Sequence, residues 1–273
     1  MTADLAAEVA GARWYHGMEL PGGILTPGDY DVIDTARRIP LPASLVGRRC
    51  LDVGTRDGFW AFEMERRGAS EVVAIDLDDP AELDFPEPRP RLPAATRESL
   101  ERRESAFHIA HRALGSKVER LGLSVYELSP ADTGRFDFAF IGTLLLHLRN
   151  PVDALAAVRR VLSPDGRLMS NDAVSLPLTL LRPRTPTAEV VMQSPRPYWW
   201  VPNAAARRQL VRAAGYDIER HGGPYLMRYG PGWERPGRPH ELGRLLQQLA
   251  LRRGAPHTWI LARPHPDASV GAA

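Results

Sequence analysis

The 273-residue chain carries 35 basic and 33 acidic side chains, a formal net charge of +2, with 44% hydrophobic and 25% charged residues. That composition excludes a disordered chain and describes one globule with appendages. Its apolar runs fall far short of the roughly 20 residues that a membrane-crossing helix needs, and a balanced charge gives no footprint for a nucleic-acid backbone, whose affinity grows with the number of phosphates neutralised.

The N-terminal stretch MTADLAAEVAGARW places Leu5, Val9 and Ala12 at helical spacing and predicts a short capping helix. Its acids stand where a secretion signal would have basic residues, and the single cysteine, Cys50, falls inside a buried strand without a partner. Both readings place the chain in a reducing cytoplasm. Residues 14–31, WYHGMELPGGILTPGDYD, have neither a helical nor a strand period. Trp14, Tyr15, His16 and Tyr30 in this loop either close over a substrate or plug an exposed core edge.

A helix is predicted over Asp31–Arg38, a strand over Arg48–Val53, a glycine-rich turn, and a helix in FWAFEMERRG. EVVAIDLDD reads as a central strand buried on both faces, with an acid at its end. A proline-rich excursion over 80–98 includes Arg89, Arg91 and Arg97, and a helix follows over Ser99–Leu114, in which His108 and His111 lack the third partner that a metal site requires. GLSVYELS and FDFAFIGTLLL read as two further strands. Asn150-Pro151 opens a helix, and SPDG turns into the strand GRLMSNDAV. Residues 175–202 are too irregular for one element. Asn203 caps AAARRQLVRAAG, YDIERHGG begins a strand, 222–239 form a second excursion, HELGRLLQQLALRRG a helix and HTWILAR a last strand.

Alternating strands and helices predict an α/β doubly wound sheet that binds its ligand at the carboxyl ends of the strands. The turn at Gly54-Thr55-Arg56-Asp57-Gly58 sits there but lacks the GxGxxG that seats a pyrophosphate. Asp52 lies two residues before the first glycine and suits a cationic ligand such as a sulfonium with an ammonium group. Asp76 lies where an acid grips ribose hydroxyls.

LDVGTRDG, the acid of VVAIDL, FDFAFIGTLLLHLRNP and LSPDGRL make residues 48–172 resemble a class I S-adenosylmethionine-dependent methyltransferase, with Arg56 in place of the middle glycine of DxGxGxG. The resemblance implies a Rossmann-like seven-stranded sheet of order 3-2-1-4-5-7-6 whose last strand is antiparallel. It also implies an N-terminal cap or lid over 1–45, a methyltransferase domain over 46–264 with insertions near 80–98, 175–202 and 222–239, and a tail over 265–273. Carried over by position, Asp52, Gly54, Thr55 and Gly58 line the methionine end, Asp76 binds ribose and Leu77 packs on adenine. Ser124 and Val125 meet the adenine edge, Gly142 and Thr143 lie beneath the methionine moiety, and Asp137 is a structural residue. The open choice for Arg56 is between facing solvent and reaching across the cofactor.

WYHGMELPGGILTPGDYD, LLLHLRNP and YWWVPNAAARRQLVRAAGY are similar to the group containing the bacterial transfer-RNA wobble-uridine carboxymethyltransferases. Those enzymes have Tyr-His after the fourth strand, where this chain has Leu146-His147. The missing tyrosine and the weak charge favour ordinary methylation of a small-molecule acceptor, plausibly in natural-product biosynthesis, over an RNA substrate or a non-methylating relative such as a cyclase. His147 is the candidate general base, with a hydrogen bond at the helix start as the alternative. Tyr15, His16, Tyr198, Trp199, Trp200 and Asn203 are the candidate acceptor pocket, with core packing as the alternative for Trp199 and Trp200.

Overall fold

The structure, a computed structural model, describes residues 2–87, 105–192, 198–233 and 253–266. The chain opens with α1 (Thr2–Gly11), a two-residue-per-strand hairpin β1 (Glu19–Leu20) and β2 (Ile24–Leu25), β3 (Tyr30–Asp31) and α2 (Val32–Arg38). It continues through β4 (Arg49–Val53), α3 (Phe59–Arg66), β5 (Glu71–Asp76), a helix α4 over 105–114, β6 (Glu119–Gly122), α5 (Pro130–Thr133), β7 (Phe136–Gly142), α6 (Pro151–Val161) and β8 (Leu162–Ala173). The remainder is α7 (Leu176–Leu181), β9 (Ala188–Val190), β10 (Trp200–Pro202), α8 (Ala204–Ala213), β11 (Tyr216–Tyr229) and β12 (Gly254–Pro264).

One sheet runs β3-β11-β12-β8-β7-β4-β5-β6. Seven of its strands follow the expected order, with β4, β5, β6, β7 and β8 parallel and β12 antiparallel to both β8 and β11. The eighth strand is an addition: β3, from the segment read as an irregular loop, pairs Tyr30 and Asp31 with Tyr229 and Arg228 at the edge beyond β11. Two residues are too few to register as a period in sequence.

The strands are apolar on both faces because each face is covered. Cys50, Val72, Ala74, Phe138 and Phe140 pack with α3, α4 and the N-terminal segment, where Val9, Trp14, Met18 and Leu20 join the same core. Leu51, Val53, Val73, Ile75, Ala139 and Ile141 alternate to the other face, under α6 and α8. Asp52 lies on this face alternation one residue from each of Leu51 and Val53, so it shares the α3 side with Cys50.

Several boundaries differ from expectation. The third strand is Glu119–Gly122 rather than 122–129, because the Ser124 hydroxyl accepts from Tyr126 N and Glu127 N returns to Ser124 O, which closes LSVYEL into a 3-10 turn. The fourth strand ends at Gly142, and Leu145–His147 form another such turn. Residues 222–229 continue β11 instead of leaving the sheet, and 175–202 contain α7 and the β9/β10 pair. Arg89, Arg91, Arg97, most of the 80–98 excursion and the helix expected over HELGRLLQQLALRRG lie outside the described residues.

Asn203, expected in the acceptor pocket, is fully buried and spent on architecture. Its Oδ1 accepts from Ala206 N at 2.8 Å and Thr187 N at 3.2 Å, and its Nδ2 donates to the carbonyls of Arg182 and Thr185 at 2.8 and 2.9 Å. It caps α8 and pins the 182–187 turn at once. Asn203→Ala therefore strips a cap and removes the donor that pins the 182–187 turn, and is expected to cost about 2 kcal/mol, measured as a denaturant midpoint shift at unchanged slope. A variant of full stability with weakened acceptor binding would restore the pocket reading.

Candidate active site

The glycine turn needs residues without a Cβ at both of its glycines. Gly54 and Gly58 have φ of 75° and 89°, the left-handed region. A Cβ at Gly58 would lie 2.4 Å from the Phe62 ring and 2.8 Å from Phe107. Gly54 N and Thr55 N both donate to Ile75 O, tying the turn to β5.

Two acids flank it. Asp52 is 1% exposed and accepts from Thr55 Oγ1 at 2.7 Å; burial pushes its carboxyl up to about 7, against the help of that hydrogen bond. At the end of β5, Asp76 accepts from Arg56 N at 2.7 Å and from its neighbour Leu77 N at 2.9 Å. These residues fit a cofactor that brings a cation to Asp52 and hydroxyls to Asp76, since a nearby positive charge stabilises the ionised form of a buried acid. Thr55 contributes by holding Asp52, its hydroxyl being already spent. Leu77 is half-buried, Ser124 caps its own turn, and Val125 is buried in the core beneath α6. Of the residues expected at the adenine edge, Val125 thus offers backbone rather than side chain.

The N-terminal segment is fastened to this turn by a residue that the motif alone does not single out. Asp57 is 1% exposed; its Oδ2 accepts from Tyr15 N at 2.7 Å and His16 N at 2.8 Å, and its Oδ1 meets His16 Nδ1. His16 is itself buried, with the rings of Phe59 and Trp60 5.8 and 6.4 Å away. Its imidazole is an anchor, which corrects its place in the acceptor pocket. Tyr15 is carried with it. The Arg56 guanidinium lies 4.9 Å from the Tyr15 ring centroid, and Thr143, Tyr198 and Asp172 lie near the Tyr15 phenol. Burial pushes the Tyr15 phenol well above its ordinary range. Arg56, with φ 56°, thus turns inward over Tyr15 rather than out to solvent.

At the end of β7, Gly142 packs over Phe140 and Thr143 has φ 51°. Thr143 Oγ1 is 3.1 Å from His257 Nε2, and His257 Nδ1 is 3.0 Å from Ala255 O. His257 is fully buried, and burial drives its imidazole down to about 4. Nothing in HTWILAR marks it in sequence as different from any strand residue. His147 ends the Leu145–His147 turn, its ring 4.8 Å from that of Tyr198. Trp199 is 8% exposed, donating from N to Leu146 O at 2.9 Å and from Nε1 to Asp84 O at 2.6 Å, while Trp200 Nε1 donates to Arg149 O at 3.2 Å. Both tryptophans staple the 175–202 insertion onto the β7 end, so packing describes them better than a pocket wall. His111 bonds Val118 O and stacks on Phe107. Asp137 accepts from Arg49 N at 2.9 Å, the structural role expected of it.

A methyltransferase domain model matches residues 29–221. A transfer-RNA U34 carboxymethyltransferase of Saccharophagus degradans is 30% identical over 135 residues, covering 49% of this chain and 34% of that protein. A ubiquinone biosynthesis O-methyltransferase of Alkalilimnicola ehrlichii is 33% identical over 125 residues, covering 46% of this chain and 41% of that one. The chain thus spans less than half the length of these curated relatives. The N-terminal domain of EvdMO1, solved in the presence of S-adenosylhomocysteine and D-fucose, superposes with a TM-score of 0.54 at 16% identity over 97% of each chain, a likeness of fold. With the family model spanning well over half its length, this chain belongs to the methyltransferase domain family, and its cofactor is S-adenosylmethionine.

Proposed function

We propose that this chain methylates the oxygen of a small, planar or largely apolar acceptor. The observation that carries the reading is the set of aromatic groups at the β4 and β7 ends: Tyr15 under Arg56, and His147 against Tyr198. Such walls suit a flat acceptor, and the near-neutral charge of the chain offers little to a phosphate backbone. The O-methyltransferase among its relatives points the same way, while the carboxymethyltransferases among them make transfer RNA the alternative acceptor.

When bound, S-adenosylmethionine supplies a methyl group activated by a sulfonium. Transfer is an in-line displacement, so the chain's task is alignment and removal of the acceptor's proton. Asp52 balances the cofactor's positive charge, Asp76 fixes the ribose, and Gly54 and Gly58 let the backbone approach. The N-terminal segment, held by Asp57, closes the acceptor side and excludes water. His147 takes the proton from the acceptor hydroxyl as the new bond to carbon forms.

His147→Ala is expected to lower turnover at least ~100-fold while calorimetric affinity for S-adenosylhomocysteine stays within about 2-fold; an unchanged rate removes the base role. Asp52 gives a pH dependence of defined sign. Its proton in the free protein, held up to about 7, must leave before the carboxylate can face a cation. Affinity for S-adenosylmethionine should therefore fall as pH drops from 8 to 6, by up to about 10-fold per unit below the midpoint, and Asp52→Asn should flatten that profile. The same group makes the free protein lose stability as pH rises between the ordinary aspartate value and about 7, because the folded state holds a proton that the unfolded chain has released. Retarded migration of transfer RNA in a gel-shift assay, with methylation of its uridine, would replace the small-molecule reading.

A further inference from the structure

The short helix α7 has its polarity reversed. On a helix that faces water, polar side chains stand outward and apolar ones pack on the core. Here Thr179 is the buried residue, its hydroxyl donating to Ser175 O at 2.7 Å and accepting from Ala204 N at 3.2 Å, while Leu180 and Leu181 are 68% and 80% exposed. The turn that follows is held firmly. The carbonyls of Leu178, Arg182 and Thr185 converge on Asn203 Nδ2 at 3.4, 2.8 and 2.9 Å. Every residue from 180 to 186 is nevertheless exposed, so two leucines, two arginines and two prolines form a projecting tip.

The charge of this tip has one sign. Arg182 and Arg184 form no ion pair among the described residues. No acid occurs between Asp172 and Glu189 in the sequence, and the Glu189 carboxylate accepts the Ser175 hydroxyl.

We propose that the 180–184 tip docks this protein on an anionic lipid bilayer, Leu180 and Leu181 entering the boundary between headgroups and acyl chains while Arg182 and Arg184 meet lipid phosphates. Exposed leucines supply the apolar area that such a boundary takes up, and adjacent unpaired arginines supply the positive charge that anionic headgroups attract. A protein partner fits the tip less well, because a convex leucine pair offers no pocket and leucine is under-represented among residues that carry protein–protein affinity. With a helix of six residues behind it, the contact is peripheral and reversible. The docking surface is independent of which atom of the acceptor is methylated. It belongs to the same insertion that Trp199 and Trp200 staple to the β7 end, so docking ties that end of the sheet to the bilayer.

Co-sedimentation of the intact chain with vesicles tests this without turnover. Phosphatidylcholine vesicles containing phosphatidylglycerol should be bound at least ~10-fold more tightly than vesicles of phosphatidylcholine alone, and added salt should narrow the difference. Arg182→Gln and Arg184→Gln should each weaken that binding about 5-fold. Leu180→Asn combined with Leu181→Asn should weaken it at least ~10-fold, with unchanged calorimetric affinity for S-adenosylhomocysteine showing that the fold is intact. Failure to bind the anionic vesicles overturns the proposal, as does equal binding to both kinds of vesicle. Binding that the leucine pair does not alter would move the contact to another face and overturn it too. A dimer in light scattering that the same leucine substitutions dissolve would instead give the tip to a second copy of this chain.

Discussion

Asp57 accepts three hydrogen-bonding groups from one stretch of chain, two backbone N–H groups and an imidazole, and in doing so fastens the first part of the sequence to the glycine turn. A carboxylate with almost no access to solvent is costly to bury unless its lone pairs are filled. Tyr15 N, His16 N and His16 Nδ1 fill them. Once the clasp is made, Tyr15 has no freedom to choose its neighbours: Arg56 covers its ring and the Tyr30 ring lies 5.1 Å away. The glycine turn and the N-terminal segment are therefore one mechanical unit, although 41 residues separate His16 from Asp57.

Much of the framework was legible because it follows from local rules. Strand–turn–helix alternation, Asn150 and Asn203 as caps, and apolar runs buried on both faces carried the doubly wound class, and the methyltransferase resemblance carried the order of seven strands. The added strand β3 escaped because pairing at an edge depends on a partner two hundred residues away, at Arg228 and Tyr229. LSVYEL misled because its alternation is that of a strand, while Ser124 closes it with a hydrogen bond that alternation does not encode. The helix over HELGRLLQQLALRRG stays an expectation.

In the site, residues recognisable by motif and residues recognisable only by placement divide cleanly. Asp52, Gly54 and Gly58 sit in or beside one turn and Asp76 ends the next strand, so spacing exposes them. His16 was visible as a polar residue in an aromatic loop, but its partner was not, and without Asp57 its function could not be told from that of Tyr15. Asn203 looked like a recognition group and is an architectural one, since an amide can satisfy a cap and a turn with the same two atoms. His257 had no signal at all: in a strand, a buried histidine differs from a buried valine only through what lies across from it.

The antiparallel β12 fits between β8 and β11, and His257 enters the site from its first half. A growing chain can complete the glycine turn, β5, β7 and the clasp of Asp57 on His16 long before this strand exists. Until β12 slides into its gap, the sheet is split between β8 and β11 and Thr143 has nothing to donate to. The Asp57 clasp and the Thr143–His257 contact are thus separated in the order of assembly, the second waiting on the long-range pairing of β12 with β8, the kind of contact that is slowest to form.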